Sequence, residues 1–551
     1  MIKNRASVTV KDLIIIFLFF LLPSFVTAQF SYSGSLNSRY ADSENNLGFN
    51  EHLFDLNFDF NDSDRSFQGW TQFEFSDPPE LGRPNQELRK LRLEYLTGNM
   101  TLKIGDIYEF WGMGMALNQV DDQAIDLDTG LRGLLFSYEN DFFKWTILKG
   151  KTHTSKITNL IDGYDERVPN FDTNHDMLGT NIEYNYENGM VGVNLMQTNE
   201  QHDSFDRFGA ISEKKIKHTM FGAYASFYIG NSSLFLEVLK KTSQEPTTNY
   251  DNEGTGLYSN LMLPIGDWSL LEEYKNYNFI KLSPLDKDNF INQFGYHADF
   301  INPPPGYYEH TTILNGRIAR QANINDEIGY QVKLSGPIGI NHTASINIAK
   351  ASQHQSWIQN DNYEWETDKA IDGMPSSKAF AIPYNEIFIN FDGNFFNHKL
   401  FYEIGWSSIK DVEYLFANRN LNNAPFRLHE SLNSQSIPLS LTYAMNDKYS
   451  FEVKYEYQEL EQGSLRETND EKYFMSVVPK PLRYNNVISL GLASSPKWSI
   501  TYLQDNTSID EESLKEQKWT YWELLYRVNQ NILITYFNGS LKGGLVCSNG
   551  V

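Results

Sequence analysis

The sequence predicts an all-β protein: a single large up-and-down antiparallel transmembrane β-barrel. Three observations predict it. Apolar residues recur at alternate positions through nearly the whole chain, and tight and long connections alternate along it. After the first 28 residues no uninterrupted apolar stretch is long enough to cross a bilayer as a helix. The composition agrees, with 551 residues, 40% hydrophobic, 14% aromatic and a net charge of −24. It is too aromatic for a disordered chain, and its acidity repels nucleic-acid phosphates, so no nucleic-acid partner is expected.

The first element is an export signal. Lys3, Arg5 and Lys11 precede the apolar run Leu13 to Leu22, and Val26-Thr27-Ala28 before Gln29 makes a small-residue cleavage pattern. Residues 1–28 are read as a signal peptide and residues 29–551 as the barrel. Strands then follow. Phe54, Leu56, Phe58 and Phe60 alternate with Asp55, Asn57 and Asp59, and Phe451, Val453, Tyr455 and Tyr457 alternate with Glu452, Lys454 and Glu456. Neighbouring side chains on a strand point to opposite faces, so each such segment has one oily face and one wet face. Strands are expected near 30–40, 51–60, 66–76, 88–96, 100–107, 131–139, 142–151, 177–186, 190–197, 218–229, 233–242, 255–263 and 267–275. Ten more fall near 326–335, 340–350, 385–395, 398–407, 436–445, 448–458, 484–493, 497–505, 520–528 and 531–541, which makes 23.

Connections after even strands are tight and rich in turn formers, among them Gly98-Asn99, Asn188-Gly189, Gly230-Asn231 and Asn446-Asp447. Those after odd strands are long, the longest at 276–325. A secreted β-sandwich has no reason to sort its connections this way. A bacterial outer-membrane barrel does, with short periplasmic turns and long outer loops, and the expected location is the cell outer membrane with its lipid as partner. Barrels of this kind usually have an even number of strands, so about 24 are expected with the last one missing and 23 present, the blander alternative being an odd barrel or a miscounted strand. The chain is therefore read as C-terminally truncated, with Cys547 awaiting a second cysteine beyond Val551.

Three stretches carry a family resemblance. They are Lys103-Ile104-Gly105-Asp106-Ile107-Tyr108-Glu109-Phe110-Trp111-Gly112-Met113-Gly114 with Gly130-Leu131-Arg132-Gly133, then Asn302-Pro303-Pro304-Pro305 with Glu309 to Asn315 and Asp326 to Gln331, and finally Gly544 to Val551. The chain resembles an uncharacterised domain-of-unknown-function family of outer-membrane β-barrel proteins from Bacteroidota. The resemblance implies a barrel and a further closing strand, and implies no substrate.

Candidate sites lie in loops and on the wet faces. Asp121, Asp122, Asp126 and Asp128 crowd the loop after the fifth strand, and Asp172, Asn174 and Asp176 crowd the loop at 152–176. Closely spaced oxygens are what calcium needs, although neither run matches an EF-hand loop; a solvated acidic loop is the blander reading, and no other cofactor is expected. Pro303, Pro304 and Pro305 stiffen the longest loop, which either folds inward to constrict the lumen or caps the barrel from outside. Alternation assigns Arg92, Glu94, Lys103, Glu452, Lys454, Glu456, Glu523 and Arg527 to the lumen. His310, beside Glu309, is read as a surface hydrogen-bonding residue. No zincin motif and no nucleophile elbow occurs, so no enzyme is expected.

Barrels near 22 strands normally hold a plug. The first strand begins close to the cleavage site, so either the loops or a separate protein must fill this one. The expected function is a porin-like channel or other solute-passage barrel with long acidic extracellular loops and a cation preference. The rival is a non-transport scaffold or receptor barrel that docks a surface lipoprotein or a secretion component.

Overall fold

The computed structural model describes residues 29–42, 48–62, 65–77, 86–122, 127–156, 171–205, 211–246, 250–280, 298–318, 320, 323–359, 365–370, 373–378, 381–417, 427–467, 474–479, 481–508 and 515–542. The signal peptide, Asp126 and Cys547 lie outside the described residues.

Period-two segments joined by tight turns fold as successive hairpins, and here they merge into one sheet. Its long strands are β1 (Gln29–Asp42), β2 (Gly48–Asp62), β3 (Arg65–Asp77), β4 (Gln86–Thr97), β5 (Met100–Ile107), β6 (Leu131–Glu139), β7 (Phe143–Lys156) and β8 (Phe171–Tyr186). They continue with β9 (Gly189–Phe205), β10 (Ile211–Ile229), β11 (Ser232–Glu245), β12 (Tyr250–Ile265), β13 (Trp268–Asn278), β14 (Glu327–Pro337), β15 (His342–Ser352) and β16 (Tyr384–Phe395). The last are β17 (Leu400–Ala417), β18 (Arg427–Ala444), β19 (Tyr449–Glu467), β20 (Arg483–Ser494), β21 (Trp498–Thr507), β22 (Gln517–Arg527) and β23 (Leu533–Gly539). Each pairs antiparallel with the next in sequence, so the described residues hold the 23 strands that the alternation predicts. A short extra strand, Phe474–Pro479, pairs with the far end of β19 and was not expected.

The sheet's faces are inverted relative to a soluble protein. On β8 and β9 the side chains of Leu178, Ile182, Val193 and Leu195 are exposed, while their strand neighbours Asn181, Asn194, Thr198 and Glu200 are buried. On β11 and β13 the fully buried residues include Glu237, Lys241 and Lys275. A sheet that hides ions and displays aliphatics is stable only where its outer face meets hydrocarbon. Phe142, Tyr228, Phe396, Tyr443 and Tyr526 are exposed near the short-turn end, where an interfacial aromatic girdle belongs.

Several strands outrun the expectation at the long-loop end. β8, β9 and β10 have 16, 17 and 19 residues, and β17, β18 and β19 have 18, 18 and 19. A tilted crossing needs only about 9–11 residues, so the wall rises beyond hydrocarbon by roughly 20 Å. Asp172, Asn174 and Asp176, expected in a loop, therefore lie on β8, facing outward and exposed. Asp176 pairs with Lys151 at 3.3 Å and Asn174 Oδ1 lies 2.9 Å from His153 Nδ1, so backbone pairing to β7 carries this stretch as strand where no oily stripe marks it.

β1 and β23 are each hydrogen-bonded on one side only among the described residues. Both are odd-numbered and run in the same direction. An antiparallel closure between them therefore takes a strand of opposite direction.

Candidate functional site: an occluded lumen

Two long connections turn into the sheet and fill its hollow. The first, between β5 and β6, makes a two-rung ladder of Phe110–Trp111 on Leu117–Asn118. Gly112 and Gly114 turn it, at φ +60° and +85°. A Cβ on Gly112 would come within 2.5 Å of the Glu237 carboxylate, so only glycine lets the backbone approach the wall so closely. Trp111, Met115 and Leu117 are buried against wall residues Met177, Met196 and Met220, an apolar centre inside a polar-lined barrel.

The second segment, residues 298–318 with Arg320, lies across the lumen. It joins the first through Asn118 N–H to the Phe300 carbonyl (2.7 Å), Asn302 N–H to the Gly114 carbonyl (3.2 Å) and Asn118 Nδ2 to the Asn302 carbonyl (2.9 Å). The described part of the long loop thus folds inward against the wall. Tyr277 OH donates to the Pro304 carbonyl at 3.0 Å and Lys275 Nζ donates to that of Pro305. From there the segment crosses to the opposite wall, where a single helical turn, α1 (Ile313–Gly316), meets β19. Glu456 accepts the N–H groups of Ile313 (2.9 Å) and Leu314 (2.7 Å), and Gln458 Nε2 donates to the Leu314 carbonyl at 3.0 Å. Arg317 reaches Asp505 of β21 at 2.5 Å. Strands from β4 to β21 thus touch one central body, so the sheet wraps around it.

Buried ions tie this plug to the wall. Glu327 receives Lys275 at 2.5 Å, Arg320 at 2.9 Å and the Tyr307 hydroxyl, and Arg320 also pairs with Asp411 at 2.9 Å. Burial alone disfavours the Arg320 charge, yet Glu327, with Asp411, holds its proton more firmly than in water. His310, read from sequence as a surface group, is instead buried with Nε2 on the Glu386 carboxylate. The inward folding of its loop is the reason.

A family model described as a family of unknown function, DUF6029, matches residues 10–551. The chain belongs to that family. No protein of curated function matches it. Among solved structures, the siderophore receptor PirA from Pseudomonas aeruginosa is similar at TM-score 0.44 and 8% identity, over 94% of this chain and 76% of that one. The copper transporter OprC is similar at TM-score 0.44 and 10% identity, over 93% and 74%. The outer membrane protein opdK from Pseudomonas aeruginosa is similar at TM-score 0.35 and 10% identity, over 70% and 94%.

In this DUF6029 chain the residues singled out by alternation are spread around the wall. Arg92 pairs with Glu94 at 2.8 Å, Lys103 with Glu109 at 3.2 Å and Lys454 with Glu452 at 3.2 Å. Of that set Glu456 meets the second plug segment and Lys103, through Glu109, the first, and the Pro303–Pro305 run is part of the second. Glu523 and Arg527 sit on β22 toward its short-turn end. Of the aspartates proposed for calcium, Asp121 and Asp128 both face Lys90 Nζ, and Asp128 also accepts the Tyr108 hydroxyl at 3.0 Å. Burial first, then Asp128, raises the Tyr108 phenol above its ordinary pKa. Asp122 follows Asp121 on the same two-residue strand. Among the described residues no group of three or more His, Cys, Asp or Glu is arranged to hold a metal ion. Sequence reasoning missed Glu237, Glu327, Arg320, Asp411 and Glu386; apart from the Arg320–Glu327 pair, their contacts with Met113, Lys275, Asp411 and His310 join residues 52 to 124 positions apart.

Proposed function

We propose that the protein is an outer-membrane barrel for gated passage of a solute, closed at rest by its own two inward segments. The observation that carries this reading is how the plug is held. Each segment docks by backbone N–H groups on a wall carboxylate, Met113 on Glu237 at 2.6 Å and Ile313 and Leu314 on Glu456. Such contacts can be exchanged for water, unlike a continuous apolar core. Inward acids including Glu183, Glu273, Glu403 and Glu452 favour cations once the plug yields. The long-loop end is then extracellular, and the leader directs export.

Planar-bilayer recording tests the reading. The wild-type barrel is expected to conduct rarely, and deletion of residues 110–118 together with 303–318 to give a large, cation-preferring conductance. A deletion variant that inserts and stays silent refutes passage. The tall wall of β17–β19 favours a second reading, a platform that docks a surface lipoprotein or secretion component. Purification from the native membrane in mild detergent checks it, since a barrel recovered alone argues against a platform.

A further inference from the structure

The first plug segment covers a wall carboxylate whose surroundings suit a cation. Glu237 is 0% exposed, its Oε2 accepts the Met113 N–H, and its Oε1 has no hydrogen-bond partner. Register places Tyr224 of β10 and Tyr258 of β12 directly opposite it, one on each side. Cross-strand neighbours stand about 5 Å apart at Cβ, so both side chains border the carboxylate. Phe235, the next inward position on β11, has its ring centre 6.3 Å from both tyrosine rings. Space for the Tyr224 ring comes from Gly192 on β9, where a Cβ would lie 2.2 Å from it.

The tyrosine hydroxyls are engaged elsewhere. Tyr224 donates to Glu183 at 2.7 Å, and Tyr258 donates to Glu273. Glu237 is therefore bordered by ring surface rather than by donors, with a further carboxylate beyond each ring. A buried carboxylate oxygen without a partner is unfavourable, and aromatic faces attract cations. We propose that Glu237, Tyr224, Tyr258 and Phe235 form a binding site for an organic ammonium ion, and that the Met113 N–H occupies the cation's place while the barrel is closed. The assignment rests on the gated-passage reading, because a ligand reaches Glu237 only when the Gly112–Met113 turn moves aside. It names the class of solute that the passage admits.

Calorimetric titration of the full chain in detergent tests it, with choline as probe and 3,3-dimethyl-1-butanol as its uncharged isostere. Choline is expected to bind saturably and at least about tenfold more tightly than the isostere. Gly112→Ala, which pushes the turn off the wall, is expected to strengthen choline binding several-fold. Glu237→Gln is expected to weaken it at least about tenfold, and Tyr224→Leu with Tyr258→Leu to weaken it comparably. Equal binding of the two probes overturns the proposal, as does choline binding unchanged in Glu237→Gln. Absence of saturable choline binding in both wild type and Gly112→Ala overturns it too. The comparison of probes needs no substitution, so a variant that fails to fold leaves it decisive. Binding is read without ion flow, so choline binding in a barrel whose deletion variant never conducts would sink passage alone.

Discussion

Replacing Glu456 by alanine removes the two acceptors that hold α1 against β19. The carboxylate is nearly buried and receives N–H groups at 2.9 and 2.7 Å. Hydrogen bonds to a charged group contribute about 1.5–3 kcal/mol each, so losing two weakens docking by about 3 kcal/mol at the lower bound. At about 1.4 kcal/mol per decade, the docked-to-released ratio falls about 100-fold. Water entering the vacated space restores part of this, and at least about a tenfold change should survive. Single-channel recording reads the effect as open probability, and hydrogen exchange of the Ile313 and Leu314 amides reads it independently of flow. Glu456→Gln keeps one acceptor without its charge and should fall between wild type and alanine. Open probability and exchange both unchanged in Glu456→Ala would refute the docking argument.

Glu327→Ala leaves Lys275 and Arg320 buried without their shared acceptor, and a loss of about 3–5 kcal/mol is expected in urea unfolding followed by heat-modifiable gel mobility. Lys275→Met should cost clearly less in the same assay, because Arg320 still pairs with Glu327. The two faces of the wall can be compared directly. Val193→Arg puts a charge into hydrocarbon and should lower stability by about 2–4 kcal/mol, whereas Glu452→Arg, on the wet and partly exposed inner face, should change it by under about 1 kcal/mol. Equal losses for these two would mean that the faces have been assigned the wrong way round.

The strand count and order were legible because the outward face must be apolar wherever lipid touches it, and a period of two records that face residue by residue. Strand ends were not legible where this constraint lapses. From Asp172 to Asp176 both faces are polar, so β8 continues on hydrogen bonds to β7 that leave no trace in hydropathy. The same holds for the long-loop end of β9 from Thr198 to Ser204. Alternation also fixes which residues of a strand share a face, but not what they touch. Glu237 meets a backbone 124 positions away and Glu456 one 143 positions away, and no local pattern encodes such pairs. Pro303–Pro305 drew notice through stiffness alone, and the direction in which that loop folds depends on partners such as Lys275 and Tyr277 on β13.

Those separations also dictate an order of assembly. Hairpins zip through turns of a few residues, whereas the contacts of Met113 with Glu237, Ile313 with Glu456 and Arg317 with Asp505 span 124 to 188 positions. Distant contacts are the slower ones to form, so the wall is expected to pair up before the plug docks. At that stage its buried acids and lysines are still wet. Sealing is thus a late folding event, and any defect that delays docking should appear first as permeability and only later as lost protein.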